Sequence, residues 1–224
     1  MGVTPITSRR WRVCSTTRSD GDVHPLYTSA DDLRARQLAA TGRRWAMLDQ
    51  RHGVGVVHAD TAKCSDRLVV GDVIVVDRPD LAIAIWAADC AAVFFLGAGG
   101  RVVGAHAGWR GLAAGVIDVA LDALDDTVER AIVGPTIHPC CYEFGRVELD
   151  LVAGGIGASA STIAGHTTAG RLALDVPRAV STACTRRNIE VAEIGDCTGC
   201  SPQYFSHRRG DRQRHATVAW RDAW

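Results

Sequence analysis

The chain has 224 residues, with 25 basic and 25 acidic side chains, a formal net charge of zero and 47% hydrophobic residues. A balance of this kind exerts no global pull on phosphate backbones or anionic lipid, so nucleic acid and membrane partners are not expected. The length allows one substantial core, the composition leaves no charge-rich disordered region, and a single domain over 1–224 is expected, as a monomer or small homo-oligomer.

Eight cysteines occur: Cys14, Cys64, Cys90, Cys140, Cys141, Cys184, Cys197 and Cys200. The first twenty residues carry Arg9, Arg10, Arg12 and Arg18 without the roughly 7–15-residue apolar stretch of an export signal. Reduced thiols and a cytoplasmic setting follow as expectations. The richest apolar stretch, Leu81 to Leu96, is interrupted by Asp89 and falls short of a membrane span.

In chain order, Trp11 to Thr17 reads as a first strand, closed by the turn-forming cluster Arg18-Ser19-Asp20-Gly21-Asp22. Ala30 to Ala40 looks helical. Leu68 to Val76 and Leu81 to Ala87 are rich in Val, Ile and Leu around Arg78-Pro79-Asp80, as two buried strands joined by a turn would be. Arg101 to Ala105 forms another strand. Gly111 to Asp126 then places Leu112, Val116, Val119, Ala120 and Leu124 close to helical spacing. Arg130 to Val133 and Ile189 to Ile194 are short strand candidates, with a helix over Leu174 to Arg187, while Ala153 to Gly170 lacks periodicity and reads as a mobile loop. Strands outnumber helices without alternating regularly, which points to an α+β fold of mixed β-sheets with flanking helices.

Three segments carry chemistry: Gln50-Arg51-His52-Gly53, Ala88-Asp89-Cys90 and His106-Ala107-Gly108-Trp109-Arg110-Gly111. Each follows an apolar segment, so His52, Cys90 and His106 fall near strand ends, where a side chain is held yet accessible. Taken singly, each has an ordinary explanation as a hydrogen-bonded histidine or a buried thiol. Together, two imidazoles and a thiolate make a three-ligand set that suits zinc and leaves a fourth position for water or substrate. Copper fits less well: a multicopper centre needs many histidines, and this chain has eight with no His-x-His pair.

Arg110 precedes the predicted helix at Gly111, where its guanidinium and free helix-end N–H groups would suit a phosphate, although a salt bridge would explain it equally. Asp89 beside Cys90 would orient a ligand, act as acid or base, or simply cap a turn. Cys197-x-x-Cys200 invites a structural zinc site, which needs two further ligands. Cys140-Cys141 lacks the spacing of the usual second half, so the pattern argues against it. Pro139-Cys140-Cys141 also fails the Pro-Cys-x-x-Cys pattern of cytidine-type deaminases, because Glu143 stands at the second Cys position.

These motifs, with Gly134-Pro135-Thr136-Ile137-His138-Pro139-Cys140-Cys141-Tyr142-Glu143, occur in the order seen in a family once described as multicopper polyphenol oxidases or laccase-domain proteins. Its members are now regarded largely as purine nucleoside phosphorylases. Thr16-Thr17-Arg18, Cys197-Thr198 and Phe205-Ser206-His207-Arg208-Arg209 extend the resemblance to both ends of the chain. The resemblance implies a YfiH-like fold, zinc held by the catalytic trio His52, Cys90 and His106, and Arg18 and Arg209 as secondary candidates for binding substrate or phosphate. It implies phosphorolysis of adenosine, inosine or methylthioadenosine to free base and ribose 1-phosphate, with adenosine deamination beside it. The family also suggests two other enzyme readings, phenol oxidation and hydrolytic editing of a cell-wall precursor by a Cys90 nucleophile. A non-enzyme alternative keeps the trio as a structural zinc clamp. Two departures leave room for a shifted small-molecule substrate: Ala91-Ala92 replaces a proline-containing segment, and the family's Asn-Leu-Gly is not recognisable around Leu26 to Ser29.

Overall fold

Successive strand residues point to opposite faces of a sheet, so a strand that is apolar throughout needs a neighbour on each side. A computed structural model describes residues 6–7, 11–59 and 68–221; Arg9, Arg10 and Cys64 lie outside the described residues. The chain forms β1 (Ile6–Thr7), β2 (Trp11–Ser15), α1 (Ala30–Thr41), β3 (Trp45–Ala46), β4 (Leu48–Asp49), β5 (Val56–His58), β6 (Val69–Val70), β7 (Val73–Val76), β8 (Ala82–Ala87), β9 (Ala91–Gly97) and β10 (Val102–Ala107). It continues through α2 (Trp109–Ala113), α3 (Val116–Leu124), β11 (Val128–Val133), α4 (Arg146–Gly155), α5 (Ala160–Ile163), β12 (Ala164–His166), β13 (Leu172–Leu174), α6 (Val176–Thr185), β14 (Val191–Glu193) and β15 (His215–Arg221).

A five-stranded sheet runs β1-β2-β15-β8-β3 and a six-stranded sheet runs β14-β11-β9-β10-β7-β5. Alternation along β9 shows how they stack. Ala92, Phe94 and Leu96 join Ile83 and Ile85 of β8 and Val13 of β2 in a core between the two sheets. Ala91, Val93 and Phe95 face the other way, into a second core with Leu112, Ile117 and Ala120 of α2 and α3, Leu149 of α4 and Val180 of α6. Ala82 and Ala84 of β8, with Val218 of β15, line the outer face of the five-stranded sheet, against which Leu33 and Ala40 of α1 pack. The result is an α+β arrangement of two packed mixed sheets with helices outside, as the sequence reading expects.

Three local readings are corrected. The helix expected over 111–126 is two helices, because Ala114 and Gly115 interrupt it and Gly115 takes a left-handed conformation (φ 80°). The segment 153–170 is no mobile loop: it holds the end of α4, all of α5 and the start of the β12–β13 hairpin, anchored by the fully buried Ile163. Residues 91–97 and 215–221, unassigned by pattern, are interior strands of the two sheets, the first apolar and buried along its whole length and the second burying the polar His215 and Thr217.

Candidate active site

Sheet connectivity brings the three motifs together. The turn Ala88-Asp89-Cys90 carries the chain from β8 in one sheet to β9 in the other, His106 lies near the end of β10, and His52 sits in the loop between β4 and β5. Gln50 docks that loop, its side chain donating to Trp86 O (2.7 Å) and accepting from Trp86 N (3.1 Å) on β8. One donor atom each from His52, Cys90 and His106 then lies within 4.8 Å of the others, with Cys90 Sγ 3.8 Å from His52 Nε2. His52 and Asp89 both have positive φ, 61° and 94°, a conformation non-glycine residues adopt only when surrounding structure enforces it.

The enforcing group at His52 is Asp72, whose role the sequence reading missed. Its buried carboxylate accepts from the backbone N–H groups of Arg51, His52 and Gly53 at 3.1, 2.8 and 2.7 Å, and pairs with His106 Nδ1 at 2.8 Å. The one signal available was an acidic residue inside the apolar run Leu68 to Val76. With Nδ1 committed to Asp72, the His106 ring offers Nε2 to the site, the carboxylate–histidine arrangement that fixes tautomer and orientation in metal centres. Burial opposes ionisation of Asp72, but the His106 bond and the backbone donors outweigh it and lower its pKa.

The same contest sets the other charges. Burial disfavours the Cys90 thiolate, yet the neighbouring His106 and His52 rings bring the thiol down to about 6. Burial also disfavours a charged His106, yet Cys90 and Asp72 raise it to about 9. The site thus concentrates negative charge on sulfur and carboxylate around two imidazoles, an environment that a divalent cation complements. Two nitrogens and one sulfur form a borderline-soft set within the zinc repertoire, so the donors fit that metal.

Asp89 holds the Cys90 turn. Its Oδ1 accepts from Thr198 Oγ1 at 2.6 Å, its Oδ2 from Arg208 N at 2.7 Å, and its carbonyl from Thr136 Oγ1 at 2.6 Å. The trio opens on a cavity of about 360 Å³ lined also by Trp86, Trp109, Tyr142, Arg110, Arg208 and Arg214, the Arg214 guanidinium being bound to the carbonyls of Asp211, Arg212 and Gln213. Arg110 stacks over Trp109, with its Cζ 4.4 Å from the ring centre, and no carboxylate pairs with it among the described residues. Arg18 and Arg209 are directed elsewhere: Arg18 binds Tyr204 O and pairs with Asp211, and Arg209 binds the carbonyls of Gly199 and Ser201. Neither lines the cavity.

The sequence profile of the multi-copper polyphenol oxidoreductase laccase family matches residues 12–222. The chain belongs to that family. Among its relatives, a purine nucleoside phosphorylase of Pseudomonas aeruginosa is 33% identical over 230 residues, covering 94% of this chain and 93% of that protein. Another from Mycobacterium tuberculosis is 30% identical over 245 residues, covering 98% and 95%. The fold is shared with the crystal structure of Neisseria meningitidis protein NMB0706, at a TM-score of 0.84 and 26% identity over 100% of this chain and 99% of that one. It is shared too with YlmD from Geobacillus stearothermophilus, at a TM-score of 0.80 and 21% identity over 100% of each chain.

Proposed function

We propose that the protein is a purine nucleoside phosphorylase whose His52, Cys90 and His106 hold a zinc ion, and that it splits adenosine, inosine or methylthioadenosine with phosphate into free base and a ribose 1-phosphate. The observation that carries this reading is the convergence of a zinc-type donor set and an unpaired guanidinium on one aromatic-walled cavity. Relatives named for the same activity support it.

Zinc held there would supply Lewis acidity, polarising an oxygen or lowering the pKa of bound water, chemistry that also accommodates adenosine deamination as a side activity. The remaining work falls to the chain itself. Arg110, whose guanidinium lies over the Trp109 ring, offers a planar fork of donors to phosphate, and Arg208 also lines the cavity. Because α2 has only five residues, anion binding here rests on guanidinium groups more than on a helix end. Trp86, Trp109 and Tyr142 give a purine apolar faces to lie against, and the cavity is within the size range of small-molecule sites. Asp72 keeps the His106 ring from turning by holding its Nδ1 proton. We place the enzyme in the cytoplasm, where phosphate and nucleosides meet reduced thiols; no helix among the described residues is long and apolar enough to cross a membrane.

The test is to incubate purified protein with each nucleoside, with and without phosphate, and to follow base, inosine and sugar phosphate by chromatography. Phosphate-dependent release of base by the wild type and not by Cys90→Ala is expected. Absence of base, or equal behaviour of the two proteins, would sink the reading. One observation favours a second reading: a thiol lowered to about 6 beside the His52 ring is also what a cysteine nucleophile requires. Metal-free protein that retains turnover, and loses it when Cys90 alone is alkylated, would move the assignment there.

A further inference from the structure

We propose a second metal centre, separate from the trio: a structural zinc ion bound by the four thiolates of Cys140, Cys141, Cys197 and Cys200, which fastens the turn that holds Asp89 and, through it, Cys90.

The topology makes the site. β11 and β14 are parallel neighbours, with Val133 opposite Glu193, so the chain leaves both strands at the same end of the sheet. The segment after β11 brings Cys140-Cys141 and the segment after β14 brings Cys197-x-x-Cys200, while Thr198 N donates to Thr136 O at 3.0 Å between them. Spacing in sequence argued against this pairing because the two halves are joined only through a parallel strand crossover. The sulfurs lie 3.2 Å (Cys141–Cys200), 3.4 Å (Cys140–Cys200), 3.6 Å (Cys140–Cys197) and 3.8 Å (Cys140–Cys141) apart. Four ligands about 2.3 Å from a tetrahedral zinc stand about 3.8 Å from one another. The cluster is therefore slightly tighter than a loaded tetrathiolate site and needs little movement to become one.

Three further features belong to a thiolate metal site. The His138 N–H donates to Cys197 Sγ at 3.3 Å, a backbone bond that stabilises a ligating sulfur. Cys197 to Cys200 closes as a tight turn, its carbonyl accepting from Cys200 N and Ser201 N at 3.2 and 2.8 Å. At Gly199 a Cβ would fall 2.5 Å from Cys141 Cβ and 2.9 Å from its sulfur, so only glycine lets the two halves approach. Arg209 crosses behind the turn, its guanidinium on the carbonyls of Gly199 and Ser201, and offsets part of the excess negative charge four thiolates bring to one divalent ion. Cys197 is buried and Cys200 exposed, which gives the ion a protein-lined seat and a route in from solvent. All sulfur and no imidazole marks a structural zinc site, closed to substrate.

The experiment measures metal in full-length wild type, Cys90→Ala and Cys200→Ser, each prepared reduced and checked for folding by circular dichroism. Wild type should carry roughly two zinc equivalents per chain and each variant roughly one. After cobalt exchange, Cys90→Ala should keep most of the wild type's thiolate-to-metal absorption, whereas Cys200→Ser should fall toward the weaker band that the single Cys90 thiolate gives. Should Cys200→Ser fail to fold, peptide mass spectrometry on wild type decides: Cys140, Cys141, Cys197 and Cys200 should resist iodoacetamide until a strong chelator is added. Folded Cys90→Ala without metal would overturn the proposal, as would unprotected thiols or a disulfide among the four in protein isolated without oxidant. A single equivalent that survives Cys90→Ala would support this centre and count against zinc at the trio.

Discussion

Thr198 Oγ1 donates to Asp89 Oδ1 at 2.6 Å between residues 109 apart in sequence, and it is the side-chain link from the cysteine cluster to the turn bearing Cys90. Thr198 is fully buried, so its hydroxyl has no solvent partner to replace Asp89. Thr198→Val keeps the shape and removes the donor. We expect a loss of roughly 1–3 kcal/mol in stability, the cost of a buried acceptor left short of a bond. Because Asp89 holds a positive φ that only its neighbours enforce, kcat should fall as well. Urea denaturation and steady-state kinetics on one preparation check both. Unchanged kcat beside a full stability loss would show that Thr198 does not position Cys90.

Asp72 joins the His52 loop to the His106 ring, so Asp72→Asn should damage the trio without emptying it. The amide matches the carboxylate in shape but gives the three backbone N–H groups a weaker acceptor and has no charge to set against His106. Zinc affinity at the trio should drop by about 10–100-fold, the usual consequence of losing a group that orients a ligand. Competition with a chromophoric chelator measures this, and an affinity within twofold of wild type would refute it.

The trio was picked out by the order of its motifs and their resemblance to the family, since each member taken singly has an ordinary explanation; the fold brings the three donor atoms within 4.8 Å of one another. Asp72 was not, since nothing in Leu68 to Val76 distinguishes a carboxylate bent into a site from one facing water. The cysteine cluster was hidden for another reason: its halves meet through the parallel pairing of β11 with β14, and pairing partners are not written in either segment. β9 escaped for the opposite reason, being buried on both faces and so lacking any period to read. Arg208 lines the cavity while its motif neighbour Arg209, like Arg18, is consumed by carbonyls and Asp211, and which of two adjacent arginines turns to the site is set by the fold of the C-terminal segment.

His215 makes acid a specific threat to this fold. It is 1% exposed in the middle of the five-stranded sheet, and burial, reinforced by Arg214 and Arg18, pushes its pKa down to about 4. Between about 6.5 and 4 the unfolded chain binds a proton that the folded chain refuses, so stability falls as pH drops through the unfolded value and levels off only near 4. The difference amounts to about 3 kcal/mol. In His215→Met, unfolding free energies at pH 7 and 4.5 should differ by roughly 2–3 kcal/mol less than in wild type, and an undiminished gap would show that other groups govern acid lability.

Gly108 tests the geometry of the trio more cleanly than removal of a ligand does. Its φ is −71°, an angle any residue adopts, so alanine there carries no backbone penalty. A Cβ at this position would fall 2.6 Å from His52 Cδ2, nearer than packing allows, and 3.2 Å from Cys90 Sγ, a tight contact. His52 is exposed and its loop is held by hydrogen bonds to Asp72 and, through Gln50, to Trp86, so the ring should yield before the sheet does. Gly108→Ala should therefore leave thermal stability within about 1 kcal/mol of wild type. Turnover should fall on the order of a hundredfold, as a displacement near 1 Å at a reacting centre commonly produces. Matched losses of stability and activity would mean that the clash is absorbed by the fold, and full activity would mean that His52 has no part in the chemistry.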